Sequence, residues 1–148
     1  MCSEPTPGRT SDGANLSFLL TVFVPGHVRS ISPIVQGVMV VARETQCAAG
    51  KEFEIEMALG EALANAVVHG CGNDASKVVE CSVSSSESGQ VTIIVRDPGP
   101  GFDPASIPNP VVGENLYSTH GRGIYLITRL MDEVWFERGG TEIHMRKS

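Results

Sequence analysis

The 148-residue chain is 41% apolar and 19% charged, long enough to bury a substantial core and too apolar to stay disordered. Its formal net charge of −6 excludes a general attraction to nucleic acid or anionic membrane, so a polyanion would need local donors or a metal ion. The longest apolar stretch, Leu16 to Val24, is too short to span a bilayer and lacks the basic leader and cleavage site of a signal peptide.

Residues 1 to about 14, rich in Ser, Thr, Pro, Gly and Asp, read as a disordered tail ahead of one domain over residues 15–148. Leu16 to Val24 gives a first strand, closed by Pro25-Gly26. Ser30, Ser32 and Pro33 mark a helix start and predict a helix over about 33–48, apolar at Ile34, Val35, Val38, Val41 and Ala42 and ending near Gly50. A second helix over about 52–69 carries Phe53, Met57, Leu59, Leu63, Ala64 and Val67 at helical spacing and stops at Gly70-Cys71-Gly72-Asn73.

Val78 to Ser84 and Val91 to Arg96 follow as a hairpin around a polar turn. Asp103 to His120, with Pro104, Pro108 and Pro110, has no periodicity and reads as a long loop, a length that is uncommon unless it has a function. A third helix over about 123–132, apolar at Ile124, Leu126, Ile127 and Leu130, precedes two strands, Glu133 to Glu137 and Thr141 to Arg146, around Arg138-Gly139-Gly140. The expected fold is α+β: a two-layer α/β sandwich whose mixed, mostly antiparallel sheet of about five strands carries three helices on one face.

Three stretches carry candidate chemistry. The run Val91 to Val95 delivers Asp97 to the end of a buried strand, where a pocket can begin. Pro98-Gly99-Pro100-Gly101 then turns the chain, and glycine lets backbone approach a ligand closely, although the same run is also ordinary turn chemistry.

On the second helix, Glu61, Asn65 and His69 fall at i, i+4 and i+8 and form one stripe, with Ala58 and Ala62 leaving room beside it. A solvated face would show the same spacing, but this stripe lacks Lys and Arg. Asn65 offers a neutral oxygen suited to Mg²⁺, and Glu61 can accept a proton or orient a hydroxyl. His69 reads as a structural histidine at the helix end. The third stretch, Gly121-Arg122-Gly123-Ile124, puts glycines before a helix, where free N–H groups suit phosphate oxygens and Arg122 can add a charge-assisted contact. A flexible hinge would look alike.

Cys2, Cys47, Cys71 and Cys81 form no Cys-x-x-Cys pair and no zinc spacing, so reduced thiols in the cytoplasm are the default. Cys71 lies near the second stretch and could be accessible; it receives no role.

Taken in order, Glu61-Ala-Leu-Ala-Asn65 with His69-Gly70, then Asp97-Pro-Gly-Pro-Gly101-Phe102, then Gly121-Arg-Gly123-Ile124 resemble the Bergerat-fold ATP-binding superfamily of gyrase, histidine kinases and mismatch-repair ATPases. Asp97 follows Asn65 by 32 residues and Gly121 follows Asp97 by 24, short separations that suit a minimal member. Within the superfamily the chain looks most like the anti-sigma-factor serine/threonine kinases.

The resemblance implies ATP and Mg²⁺ as cofactors, with Asn65 as the metal ligand and Glu61 as the catalytic base. It implies that Asp97 accepts a hydrogen bond from the adenine amino group, a contact of roughly 1.5–3 kcal/mol when desolvated. Gly99 and Gly101 would let the base pack against the loop, Gly121, Arg122 and Gly123 would cradle the phosphates, Phe102 and Ile124 would belong to the same nucleotide site, and residues 103–120 would form a lid.

Only about 50 residues precede the second helix, too few for a histidine kinase's dimerisation segment, and no transducer domain follows Ser148. The expectation is therefore action on a separate protein. As an enzyme, the chain would phosphorylate a serine of an anti-anti-sigma-type regulator and bind a sigma factor. As a binding module, it would be a nucleotide-gated sequestering protein with little turnover. Family resemblance adds a homodimer; neither nucleic acid nor membrane is expected as a direct partner.

Overall fold

Side-chain alternation decides which side of each strand is covered. In the computed structural model, which describes residues 16–101 and 119–148, strand β3 (Val91–Arg96) buries Val91, Ile93 and Val95 and turns Thr92, Ile94 and Arg96 the other way. Strand β2 (Val78–Ser86) pairs with it in antiparallel register, Cys81 opposite Val95 and Val83 opposite Ile93, so Val79, Cys81 and Val83 join the same buried face. Strands β1 (Leu16–Pro25), β4 (Glu133–Glu137) and β5 (Glu142–Lys147) complete a five-stranded sheet in the order β1-β2-β3-β5-β4. All four ladders are antiparallel, the uniform case of the mostly antiparallel sheet that the sequence suggests.

Helices α1 (Ile31–Thr45), α2 (Glu52–Asn65) and α3 (Thr119–Leu130) form the second layer, with α2 between the other two. Met39, Ile55, Leu59, Leu63 and Ile127 are fully buried with Ile93, Val95 and Met145 of the sheet in one apolar cluster. Each such side chain contributes about 1.5–3 kcal/mol when withdrawn from water, which is why the helices lie on this face.

The helix ends differ from the sequence expectation in instructive ways. Helix α1 starts at Ile31 rather than near 33, after a single 3₁₀ turn (Val28–Ser30) whose cap is His27, with Nδ1 accepting the Arg29 N–H at 3.1 Å. It stops at Thr45, short of Gly50, because Gln46 takes a left-handed conformation (φ 59°). Beyond α2 the backbone widens into a π turn, Ala66–Gly70, and the Cys71 N–H bonds back to the Ala66 carbonyl at 2.9 Å. Such a turn is rare and recurs at functional sites. Helix α3 begins at Thr119, four residues before the expected 123, so Gly121-Arg122-Gly123 stands inside its first turns rather than ahead of them. The expected tail over residues 1–14, Phe102 and positions 103–118 of the expected lid lie outside the described residues.

Candidate active site

The C-terminal half of α2, the exit of β3 and the start of β5 converge on a cavity of about 310 Å³. Ala62, Asn65, Ala66, His69 and Gly70 line it from α2 and its π turn; Val95, Asp97 and Gly101 from the strand end; Ile124 from α3; and Phe136, Gly140, Thr141 and Ile143 from the β4–β5 side. The walls are mainly apolar, and Asp97 is the carboxylate among them.

Asp97 is placed by backbone on both sides. Its N–H donates to the Thr141 carbonyl at 2.9 Å, extending the β3–β5 ladder beyond the Arg96–Glu142 pair. Its Oδ1 accepts the Gly99 N–H at 2.8 Å, so the turn the sequence suggests is real and holds the carboxylate at the cavity. Burial pushes the Asp97 carboxyl above the usual carboxylate range, and the Gly99 N–H opposes that shift only in part. An ionised carboxylate accepts several hydrogen bonds, so capacity remains beyond Gly99.

Two glycines make this arrangement possible. A Cβ at Gly70 would collide with the Asp97 side chain, and one at Gly99 would collide with the Gly70 backbone. The lack of a side chain at Gly99 thus serves the chain's own close approach to Gly70, and the cavity lining includes Asp97 and Gly101 on either side of it. Gly101 (φ 78°) does line the cavity, with its Cα against the Gly139 carbonyl.

Glu61 and Asn65 share a side of α2, one turn apart, and α3 crosses closely there. A Cβ at Gly123 would stand 3.0 Å from Glu61 Oε1 and 3.2 Å from Asn65 Nδ2. Gly123 thus eases the approach of the start of α3 to the Glu61–Asn65 pair, and the second and third sequence stretches meet directly. The first four N–H groups of a helix have no intrahelical acceptor, and here they include those of Gly121 and Arg122. Gly123 falls one turn in, where its N–H enters the helical ladder. The Arg122 side chain is exposed and Ile124 is buried against the cavity.

Sequence reading missed Val95, Phe136, Thr141 and Ile143 as cavity residues. Their signal is strand register, with Ile143 opposite Val95 on one side and Phe136 on the other, which only strand pairing reveals. It also left Cys71 open to access. Cys71 is 2% exposed, and burial, then the Asp97 charge, pushes its thiol up, away from the reactive thiolate. Cys81, fully buried, is pushed up to about 12 by burial. Cys47, Cys71 and Cys81 are all free thiols.

An antiparallel sheet covered by helices on one face, with a strand-end aspartate in an apolar cavity between the layers, defines a class of protein: the chain belongs to the histidine kinase-like ATPase domain family, whose family model matches residues 24–147. It is 31% identical over 103 residues to "Anti-sigma F factor" of Priestia megaterium, a span covering 64% of this chain and 67% of that protein. It is 34% identical over 101 residues to the protein of the same name from Geobacillus stearothermophilus, covering 64% and 68%. The Geobacillus thermodenitrificans (strain NG80-2) protein of that name is 35% identical over 100 residues, covering 64% and 67%. The family read from the three motifs is the one these comparisons show.

Proposed function

We propose that the chain is an ATP- and Mg²⁺-dependent protein-serine/threonine kinase of the anti-sigma-factor type. It would transfer the γ-phosphate of ATP to a serine of a small anti-anti-sigma-type regulator, and it would also bind a sigma factor. The observation that carries the reading is the meeting of Glu61, Asn65 and the start of α3 beside the cavity that contains Asp97. A site that only held a nucleotide would need Asp97 and apolar walls, but no carboxylate beside Asn65.

The residues suit both cofactors. Apolar walls accept a flat heteroaromatic base, and the spare acceptor capacity of Asp97 suits an exocyclic amine. Asn65 supplies one neutral oxygen, a ligand for Mg²⁺ when phosphates and water complete its shell. The bound ion would supply charge neutralisation at the phosphates. Gly121 and Arg122 would offer N–H donors at the positive end of α3. Glu61 would take the proton of the serine hydroxyl as that oxygen bonds to the γ-phosphorus; the bond from this phosphorus to its bridging oxygen breaks, and ADP leaves.

The second reading, a nucleotide-gated sequestering protein with little turnover, draws on the name the relatives carry, anti-sigma F factor. Under either reading the protein would be a cytoplasmic homodimer. No helix among the described residues is long and apolar enough to cross a membrane.

Labelled ATP, Mg²⁺ and purified candidate regulators decide between them. Glu61→Gln is expected to lower phosphoserine formation by about 10²- to 10⁴-fold while nucleotide binding survives. The kinase reading fails if no partner acquires Glu61-dependent phosphoserine. Partner capture that is indifferent to ADP or ATP removes the gated alternative.

A further inference from the structure

The outward side of α2, continued by the π turn after it, carries an apolar stripe that the fold covers only in part. Phe53 is 67% exposed, and Met57 and Val68 are each 37% exposed. Helical spacing puts them along one side, with Gly60 and Ala64 between them. Among the described residues nothing lies within 4 Å of a Cβ built at Gly60, so their contacts do not demand glycine there. Mid-helix glycine weakens a helix relative to alanine, and a phenylalanine in water gains nothing from burial.

Both choices are unfavourable for the isolated chain, and both become useful when a partner backbone lies close at Gly60 and covers Phe53 and Met57. The stripe runs beside the site described above, since Glu61 follows Gly60 directly. Carboxylates flank it: Glu54 and Glu61 on the side toward α3, and on the side toward α1 Glu56, which is held by Gln36 at 3.1 Å and Arg43 at 3.5 Å. A second copy related by a two-fold axis would set like charges against each other.

We propose that this stripe docks the phosphoacceptor protein, which would present an apolar surface edged by basic side chains and so bring its serine to Glu61. The inference rests on the kinase reading and adds the surface by which that kinase selects its substrate.

The test uses the purified full chain, labelled ATP with Mg²⁺, and the anti-anti-sigma-type proteins of the source organism, each purified separately. Initial rates are measured over a range of protein-substrate concentrations. Replacing Phe53→Ser together with Met57→Ser is expected to raise KM for the protein substrate at least tenfold, with kcat and KM for ATP unchanged. Gly60→Ala is expected to raise the same KM severalfold while its Tm equals or exceeds that of the unaltered chain. A purely structural glycine could not give that combination. Gly37→Ala in α1, at an equally open position, is the control, with a higher Tm and unchanged KM.

An active kinase whose protein KM ignores these changes overturns the docking surface and leaves the kinase reading standing. A dimer that becomes monomeric on loss of Phe53 and Met57 in sedimentation gives the stripe to a second copy and also overturns it. If the unaltered chain labels none of the proteins, the kinase reading fails and the docking surface falls with it.

Discussion

Asp97 and Glu142 are carboxylates withdrawn from water on opposite sides of the same sheet, and their surroundings treat them in opposite ways. Asp97 stands on the helix-covered side; among the described residues its carboxylate takes one backbone N–H and enters no ion pair, and burial holds its carboxyl above the usual range. Glu142, 4% exposed, stands on the open side of the sheet. It accepts Arg96 Nε at 2.7 Å, is hydrogen-bonded to His144 Nε2 at 2.8 Å, and lies 3.5 Å from Arg138 Nε. Burial alone would push Glu142 up, but these hydrogen bonds and the Arg96 charge outweigh it and hold the carboxyl below its ordinary value.

The difference separates two uses of a buried charge. Glu142 is satisfied from within: Arg96 is shared with Glu80 at 3.6 Å, and His144 stacks on Trp135 at 5.0 Å. Glu137, Glu142 and His144 come within 4.8 Å of one another, yet the guanidinium groups beside Glu142 already supply positive charge there. Asp97 keeps acceptor capacity and bears a desolvation cost with partial compensation, the condition expected of a group that awaits a donor from outside the chain.

Substituting each carboxylate should break the two cases apart. Glu142→Ala leaves the buried His144 without its acceptor and should cost about 3 kcal/mol, near 10 °C in Tm for a chain of this length. Nucleotide affinity should not change, which calorimetric melting and titration together would check. Asp97→Asn keeps an oxygen for the Gly99 N–H and removes a poorly compensated charge. Thermal stability should hold or rise, while ATP affinity falls roughly ten- to hundredfold. A stability loss at Asp97 comparable to that at Glu142 would make Asp97 structural and would end the comparison.

Acid titration sharpens the same contrast with a smaller effect. The folded-state value of Glu142 is depressed below 4.5, so its contribution is full above that value and is lost as pH falls through the folded one. Asp97 has the reverse sign: its folded value is raised above 3.8, so its ionisation costs stability as pH rises through that range. Under the proposed function, a donor from a bound nucleotide would be held more strongly by the ionised form. Affinity should therefore fall on acidification through the raised Asp97 value, while the Glu142 contribution to Tm is lost only as pH falls from 4.5 through its own depressed value. Paired melting and binding curves on acidification from neutral pH would separate the two, and a binding curve that stays flat through the acid range would count against Asp97 as the acceptor.

Much of the site was legible because its parts lie within single elements. The Glu61–Asn65 spacing is a property of any helix, and the strand exit at Asp97 follows from an apolar run ended by Pro and Gly. The start of α3 was not legible. Glycines at 121 and 123 suggest a boundary by propensity, yet Gly123 is inside the helix, where α3 comes close enough to Glu61 and Asn65 that a Cβ would stand 3.0 Å from Glu61 Oε1. The roles of Gly70 and Gly99 were hidden for the same reason, since their collisions are with each other's segments and with Asp97. Thr141 and Ile143 enter the cavity through pairing with a strand more than forty residues earlier.

The sequence by itself determined the type and order of the elements and the family, and named candidates for the chemistry, because periodicity, turn residues and motif order are local and survive without a fold. Tertiary structure alone decided which carboxylate is left needing a partner. Asp97 and Glu142 are the same functional group at neighbouring strand ends; one faces an apolar cavity and the other two guanidinium groups and an imidazole, and that surrounding charge is set by strand register and helix placement rather than by either residue's neighbours in the chain.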